Sequence, residues 1–238
     1  MVDTSQTWML ALDTSNTLAS LALGPVGDDT GALGAEIVWN AGRNQTTTIL
    51  VEVDGLMRLV GITPGQLGAV AVASGPGAFN ALRVGMSIAK GFAFSMQIPI
   101  FGVGTLDIAA HVVAYAGHPV RAFVEAGRGR IVVGDYRMTN GRLQLRGALD
   151  HRTPGELGDG LLEPTVLSGE LSETDRQALK EMPNVILPPA AAGRRRASAL
   201  LDLAAQRWRN DEADDLLALE PMYIHSQPVV AAKPERNP

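Results

Sequence analysis

The sequence contains no cysteine, and that one absence removes disulfides, thiol catalysis and thiolate metal sites together. Its four histidines (His111, His118, His151 and His225) form no HExxH or similar pair, so a zinc hydrolase finds no ligand set. No G-x-S-x-G nucleophile elbow occurs. The Walker lysine pattern is missing too. The dinucleotide fingerprint fails at its third glycine, where Gly75-Pro76-Gly77-Ala78-Phe79-Asn80 ends in asparagine, and no acidic ribose partner follows about 20 residues on. Basic charge is in deficit: the formal net charge of −5 argues against a strongly basic nucleic-acid-binding surface, although it leaves local patches open. No apolar run is long enough to cross a bilayer. The N-terminal stretch lacks the basic region and cleavage site of a signal peptide. A soluble, cytoplasmic chain with no membrane partner is expected.

What is present is organised around residues 69–102. Ala69–Ala73 is a run of small and β-branched residues suited to a buried strand. Ser74-Gly75-Pro76-Gly77 breaks it with a tight turn, since glycine tolerates positive φ and proline fixes its own. Ala78 to about Gln97 suits a helix, Ile98-Pro99 ends it, and Ile100–Val103 reads as another strand, giving a βαβ unit. At 100° per residue, Asn80, Arg83, Ser87 and Lys90 make one narrow polar stripe that Phe94 extends. The rest of the helix is apolar or small, a wider arc than one contact face needs. It is either buried centrally or covered by a partner helix on a second face.

Before this unit, Trp8–Leu12 and Leu18–Leu23 read as a hairpin whose turn is Asp13-Thr14-Ser15-Asn16. Such a turn can present hydroxyls and N–H groups to a phosphate, with Asp13 facing a metal-bound water. It can equally be an Asx or Ser/Thr turn that bonds only its own backbone. Glu36–Asn40 is a third strand and Thr46–Val60 a helix, with Ile49, Val53, Leu56 and Val60 on one face and Leu50 and Met57 on a shoulder beside it. After Thr105, a helix runs from Leu106 to about Ala116. Val120–Ala126 and Arg130–Met138 are strands, and Asn140-Gly141 is a hairpin turn into Leu143–Arg146. Residues 150–193 have little pattern. Ala197–Arg209 is the last helix, Leu219–Ile224 a final element, and 226–238 a tail. A chain of 238 residues fits one large domain or two lobes.

Several of these stretches resemble the bacterial TsaB family, also called YeaZ. They are Leu10-Ala11-Leu12-Asp13-Thr14-Ser15, the run from Ser74 to Gly85, Ala89-Lys90-Gly91 with Ile98-Pro99, Thr105-Leu106-Asp107, Glu125-Ala126-Gly127-Arg128-Gly129, and Leu219-Glu220-Pro221-Met222-Tyr223-Ile224. The resemblance implies a two-lobed α/β fold of the actin-like ATPase (ASKHA, ribonuclease H-like) class. Residues 1–111 would form the first lobe, completed by 197–238, and 112–196 a smaller second lobe. It also implies a role in making N6-threonylcarbamoyladenosine at position 37 of tRNA, as the non-catalytic partner of a catalytic paralogue, TsaD, joined through the helices matching Thr46–Val60 and Ala78–Gln97. An ATPase, TsaE, would bind the assembled pair, and tRNA would be met through the complex. No catalytic residue and no metal is implied in this chain.

Three departures from the family pattern matter: Gln45-Thr46 stands where a histidine-serine pair is usual, Ala78 and Asn80 replace two loop hydroxyls, and Glu125-Ala126-Gly127-Arg128-Gly129-Arg130 stands where the family reads D-A-R-x-G-E. The lost hydroxyls weaken unaided phosphate binding and leave the helix-pairing role untouched, so no tightly bound cofactor is expected, and ATP with magnesium only in the assembled complex. The residues offered to a phosphate or nucleotide are Asp13, Thr14, Ser15, Gly75 and Gly77. The partner interface is expected at Leu50, Met57, Arg83, Met86, Ala89, Lys90, Ala93 and Phe94, with small residues such as Gly85, Ala89 and Ala93 admitting a neighbouring helix. The free chain is expected to form a homodimer through the same patch. Two rival readings are an autonomous nucleotide-binding phosphotransferase of the same fold class, which would need a second acidic phosphate motif, and a peptidase, which would need ligands or a nucleophile that are missing.

Overall fold

A computed structural model describes residues 6–27, 33–42, 45–127 and 129–223. The first sheet is built from β1 (Thr7–Asp13), β2 (Leu18–Val26), β3 (Ala35–Asn40), β4 (Leu67–Gly75) and β5 (Ile100–Gly104), in the order β3-β2-β1-β4-β5. β1 pairs antiparallel with β2 and parallel with β4. Being central, it reads as an unbroken apolar run because both its faces are covered. Leu10 and Leu12 pack with α1 (Gln45–Val60) and α2 (Phe79–Met96) on one face. Met9 and Ala11 lie on the other with α5 (Ala197–Arg209), where Ala22, Ala69, Ala71 and Ala73 keep the sheet surface low.

The second sheet holds β6 (Val120–Gly127), β7 (Arg130–Thr139), β8 (Arg142–Arg152), β9 (Thr165–Ser168) and β10 (Val185–Ile186), in the order β10-β9-β6-β7-β8. Between the sheets lies α3 (Thr105–Val112), whose Ile108 joins the core of the first and whose Leu106, Ala109 and Ala110 join that of the second. On the far face of the second sheet, α4 (Glu173–Lys180) contributes Leu179 to a cluster with Phe123, Ile131 and Val133. The architecture is the two-lobed α/β fold expected from the sequence.

Three details differ from the sequence reading. The helix expected to reach Ala116 ends at Val112, with a separate 3-10 turn at Ala114–Ala116. β8 extends through Asp150–Arg152, past the expected end at Arg146, because a register shift opposite Val133 and Asp135, with Gly147 at φ 75°, carries the strand on. Residues 219–223 form neither helix nor strand. They run as a strap over the glycine turn, with the Met222 N–H donating to the Ser74 carbonyl at 2.6 Å. Ile224, the tail and Arg128 lie outside the described residues. The Asn140-Gly141 turn is as read: both residues take positive φ, 51° and 74°, as a two-residue hairpin of this hand requires.

Candidate functional site

The turn after β1 and the glycine turn after β4 come together. The Ala78 N–H donates to the Ser15 carbonyl at 2.8 Å, and a Cβ at Gly77 would stand 2.5 Å from that oxygen, so glycine is required by proximity. Gly75, at φ 110°, meets the Met222 carbonyl instead. Asp13, Thr14 and Ser15 are each about 2 % exposed. Their side chains are engaged within the chain. Asp13 Oδ1 accepts from the Ser15 N–H at 2.9 Å and from Ser15 Oγ at 2.5 Å. Thr14 Oγ1 donates to the Ala81 carbonyl at 2.8 Å, fastening the turn to α2.

The remaining Asp13 oxygen, Oδ2, accepts from Arg195 Nε at 3.1 Å. Arg195 also lies 3.5 Å, through Nη1, from Glu170, which accepts in turn from Asn16. Burial pulls the Arg195 pKa down, but the Asp13 and Glu170 carboxylates outweigh it and hold the guanidinium above the usual arginine value. Of the two readings of this turn, the geometry matches the one in which it bonds the chain itself. Its side chains do not fit a phosphate or metal-bound water while Arg195 neutralises Asp13. Arg195 and Glu170 were not anticipated. The signal was the Arg194-Arg195-Arg196 run directly before α5, where positive charge opposes the helix dipole and so calls for a carboxylate nearby.

The expected interface residues separate into two groups. Met57, Met86, Ala89 and Ala93 are at most 5 % exposed and belong to the core beneath α1 and α2. The expectation that they face a partner is corrected. α1 packs on β2 and β3 and also touches α2, so two neighbours cover its arc and Met57 falls inside. The small residues of α2 serve its own sheet: a Cβ at Gly85 would stand 2.2 Å from Thr14 Oγ1. The second group faces water. Leu50 (53 %) and Phe94 (69 %) are exposed, as are Val51, Leu59 and Phe79, which were not singled out. Arg83 is exposed and Lys90 half-buried, with the Arg83 guanidinium 5.3 Å from the centre of the Phe79 ring. Tyr223 of the strap stacks on Phe79 at 4.8 Å, and Lys90 Nζ reaches the Leu217 carbonyl at 3.5 Å. Two outer helices thus carry five large apolar side chains in water, partly edged by the strap.

A separate cleft of about 340 Å³ opens between the lobes, lined by Asp107, His111, Tyr136, Leu143 and Leu203 among others. Tyr136 Oη donates to Asp107 Oδ1 at 2.8 Å across it. Asp107 is exposed at the surface of the cleft, yet the surrounding atoms desolvate its carboxyl and raise its pKa, with the Tyr136 bond partly opposing. Among the described residues, no three His, Asp or Glu side chains cluster as a metal would need, and no helix is long and apolar enough to cross a membrane.

A family model described as TsaD, tRNA N6-adenosine threonylcarbamoyltransferase, matches residues 39–158. The tRNA threonylcarbamoyladenosine biosynthesis protein TsaB of Bacillus subtilis is 31% identical over 136 residues, 57% of this chain and 58% of that one. Its namesake in Haemophilus influenzae is 35% identical over 118 residues, 50% of this chain and 48% of that one. The chain thus spans about half the length of these relatives. Among solved structures, YeaZ from Pseudomonas aeruginosa superposes with a TM-score of 0.73 at 24% identity, over 92% of this chain and 100% of that one, a likeness of fold.

Proposed function

The chain belongs to the TsaB (YeaZ) family, and from that premise we propose that it is an accessory subunit in the synthesis of threonylcarbamoyladenosine on tRNA, without catalytic groups of its own, that pairs with the catalytic paralogue TsaD. The observation that carries this reading is the apolar surface left in water on α1 and α2: Leu50, Val51, Leu59, Phe79 and Phe94. We read large apolar side chains left in water on two touching helices as an interaction surface. Pairing removes them from water, which favours association by roughly 25 cal/mol per Å² of apolar area, against the cost of lost rotational and side-chain freedom. In the free chain the same surface drives homodimer formation, which the paralogue displaces. TsaE binds the assembled pair, which carries out the modification of tRNA.

The closed turn at Asp13 agrees with this division of labour. A chain that used nucleotide by itself would need that carboxylate available, whereas here Arg195 holds it. Nucleotide and magnesium belong to the assembled complex, and no cofactor binds the free chain tightly. Co-purification with the TsaD of the same organism tests the reading. Leu50→Glu with Phe94→Glu, both at exposed positions, should keep the fold and abolish the pair, because a buried unpaired charge costs several kcal/mol. Normal pairing by that variant, or turnover of ATP by the free chain, would refute the proposal.

A further inference from the structure

The second sheet carries a concentration of arginine that the pairing surface does not use. From Val120 to Arg152 there are seven arginines, no lysine and three acidic residues, a surplus of four positive charges in a chain whose net charge is −5. Strand register decides where they point. Arg137 lies opposite Gln144, Asp135 opposite Arg146, and Thr139 opposite Arg142. Directly opposed residues share a face and side chains alternate along a strand, so Arg137, Arg142 and Arg146 stand on one face of the β7–β8 hairpin. This is the α4 side of the sheet, since Ile131 and Val133 of the same strand pack with Leu157 and Leu179 there. That cover stops short of the hairpin, and all three arginines are exposed.

The carboxylates on this face are already committed. Asp135 takes both Arg121 Nε and Nη2, at 2.7 and 2.9 Å, and Arg121 is itself buried. Glu163 pairs with Arg137. Arg146 bonds a hydroxyl, that of Thr139, at 2.7 Å, and among the described residues neither Arg142 nor Arg146 has an ion-pair partner. Arg142 and Arg146, four residues apart on one strand, are separated by about 13 Å. We propose that this face of the β7–β8 hairpin, presenting Arg137, Arg142 and Arg146, binds the phosphate backbone of RNA. Planar guanidinium groups suit phosphate oxygens better than point charges do, and Arg137 and Arg146 line a hollow of about 240 Å³ that could seat a phosphate. The choice of tRNA among polyanions rests on the function proposed above.

The test uses the full chain and a labelled, unmodified tRNA transcript, with anisotropy read across a salt series from about 50 to about 200 mM. Binding should weaken steeply with salt. The triple variant R137Q/R142Q/R146Q should lose on the order of tenfold in affinity at the low-salt end and flatten the log–log salt slope by about two, as loss of three phosphate contacts requires. Lys180→Gln, on α4, should change neither. A folded triple variant with the wild-type slope would overturn the proposal, and so would polyglutamate binding as tightly as tRNA. Charges on an edge strand such as β8 can simply discourage sheet-edge association. That role alone predicts a triple variant that self-associates and keeps its RNA affinity, an outcome that also overturns the proposal. The paralogue takes no part in these measurements. A chain that binds RNA but does not pair therefore sinks only the accessory-subunit reading, and the converse sinks only this one.

Discussion

Arg195 Nε lies 3.1 Å from Asp13 Oδ2, and both side chains are almost wholly buried. The pair joins the end of β1 to the segment leading into α5, across 182 residues of sequence. It closes the turn that sequence alone leaves open to a phosphate.

Removing one partner of a buried pair leaves an uncompensated charge, which costs about 3–5 kcal/mol. Arg195→Met should lower the unfolding free energy by that order in urea denaturation. Arg195→Met with Asp13→Asn should cost much less than the two single changes added together. Additive losses would mean that the two groups do not act as a pair.

Met57 and Leu50, on one shoulder of α1 by helical periodicity, should respond oppositely to the same substitution. Met57→Glu places a carboxylate in the core at a site 5 % exposed, and burying it should cost several kcal/mol, enough to unfold or loosen the first lobe. Leu50→Glu meets water and should leave the melting temperature nearly unchanged. A Met57→Glu chain as stable as wild type would place that side chain outside the core.

Most of the first lobe was legible because its elements are bounded by local chemistry. The glycine–proline turn, the Ile98-Pro99 stop and the apolar run of β1 ending at Asp13 each fix a boundary without outside information. The polar stripe of α2 is legible for the same reason: Asn80, Arg83, Ser87 and Phe94 are exposed, while Lys90, which reaches the Leu217 carbonyl, is half-buried. Periodicity assigns an azimuth, however, and cannot say how many neighbours cover it. Met57 was misplaced on that account, and Ala89 and Ala93 were given to a partner when their own sheet takes them. At Asp13 the residues of the turn were right, but the ion pair that decides its role comes from a segment with no periodic pattern. In the second lobe the Asn140-Gly141 turn was clear, whereas α4 is a short, charged helix contributing one buried residue, Leu179. Too little of it is apolar to stand out.

Gly85 should resist even alanine. The added methyl carbon would lie 2.2 Å from Thr14 Oγ1 and 3.4 Å from Thr14 Cβ, so the conflict is with the hydroxyl alone. Gly85→Ala should destabilise the chain by roughly 1–3 kcal/mol, the usual cost of overpacking. Thr14→Ala removes the hydroxyl and its bond to the Ala81 carbonyl. The double variant should therefore be more stable than the sum of the single effects implies. Strict additivity in this cycle would show that α2 moves aside rather than pressing on the turn.

The Tyr136–Asp107 bond, which ties β7 to α3 across the cleft, should make stability depend on pH in a set direction. Desolvation raises the Asp107 pKa above its ordinary 3.8, and the Tyr136 hydrogen bond opposes part of that rise. Tyr136 is raised as well, by burial first and then by the Asp107 charge, so it remains a donor through the neutral range. An acid whose folded pKa exceeds its unfolded one takes up its proton in the folded chain first. At neutral pH the ionised Asp107 therefore costs stability. As pH falls through the raised value the folded state gains, and the gain is complete below 3.8. Asp107→Asn has no such proton to bind, while its amide oxygen can still accept from Tyr136. The melting temperature of wild type minus that of Asp107→Asn should therefore rise on acidification from pH 7 towards pH 4. In a Tyr136→Phe background the opposing hydrogen bond is gone, so the same rise should begin at higher pH. A difference that stays flat, or that moves in favour of asparagine in acid, would mean that Asp107 is not held in the desolvated setting its place in the cleft implies.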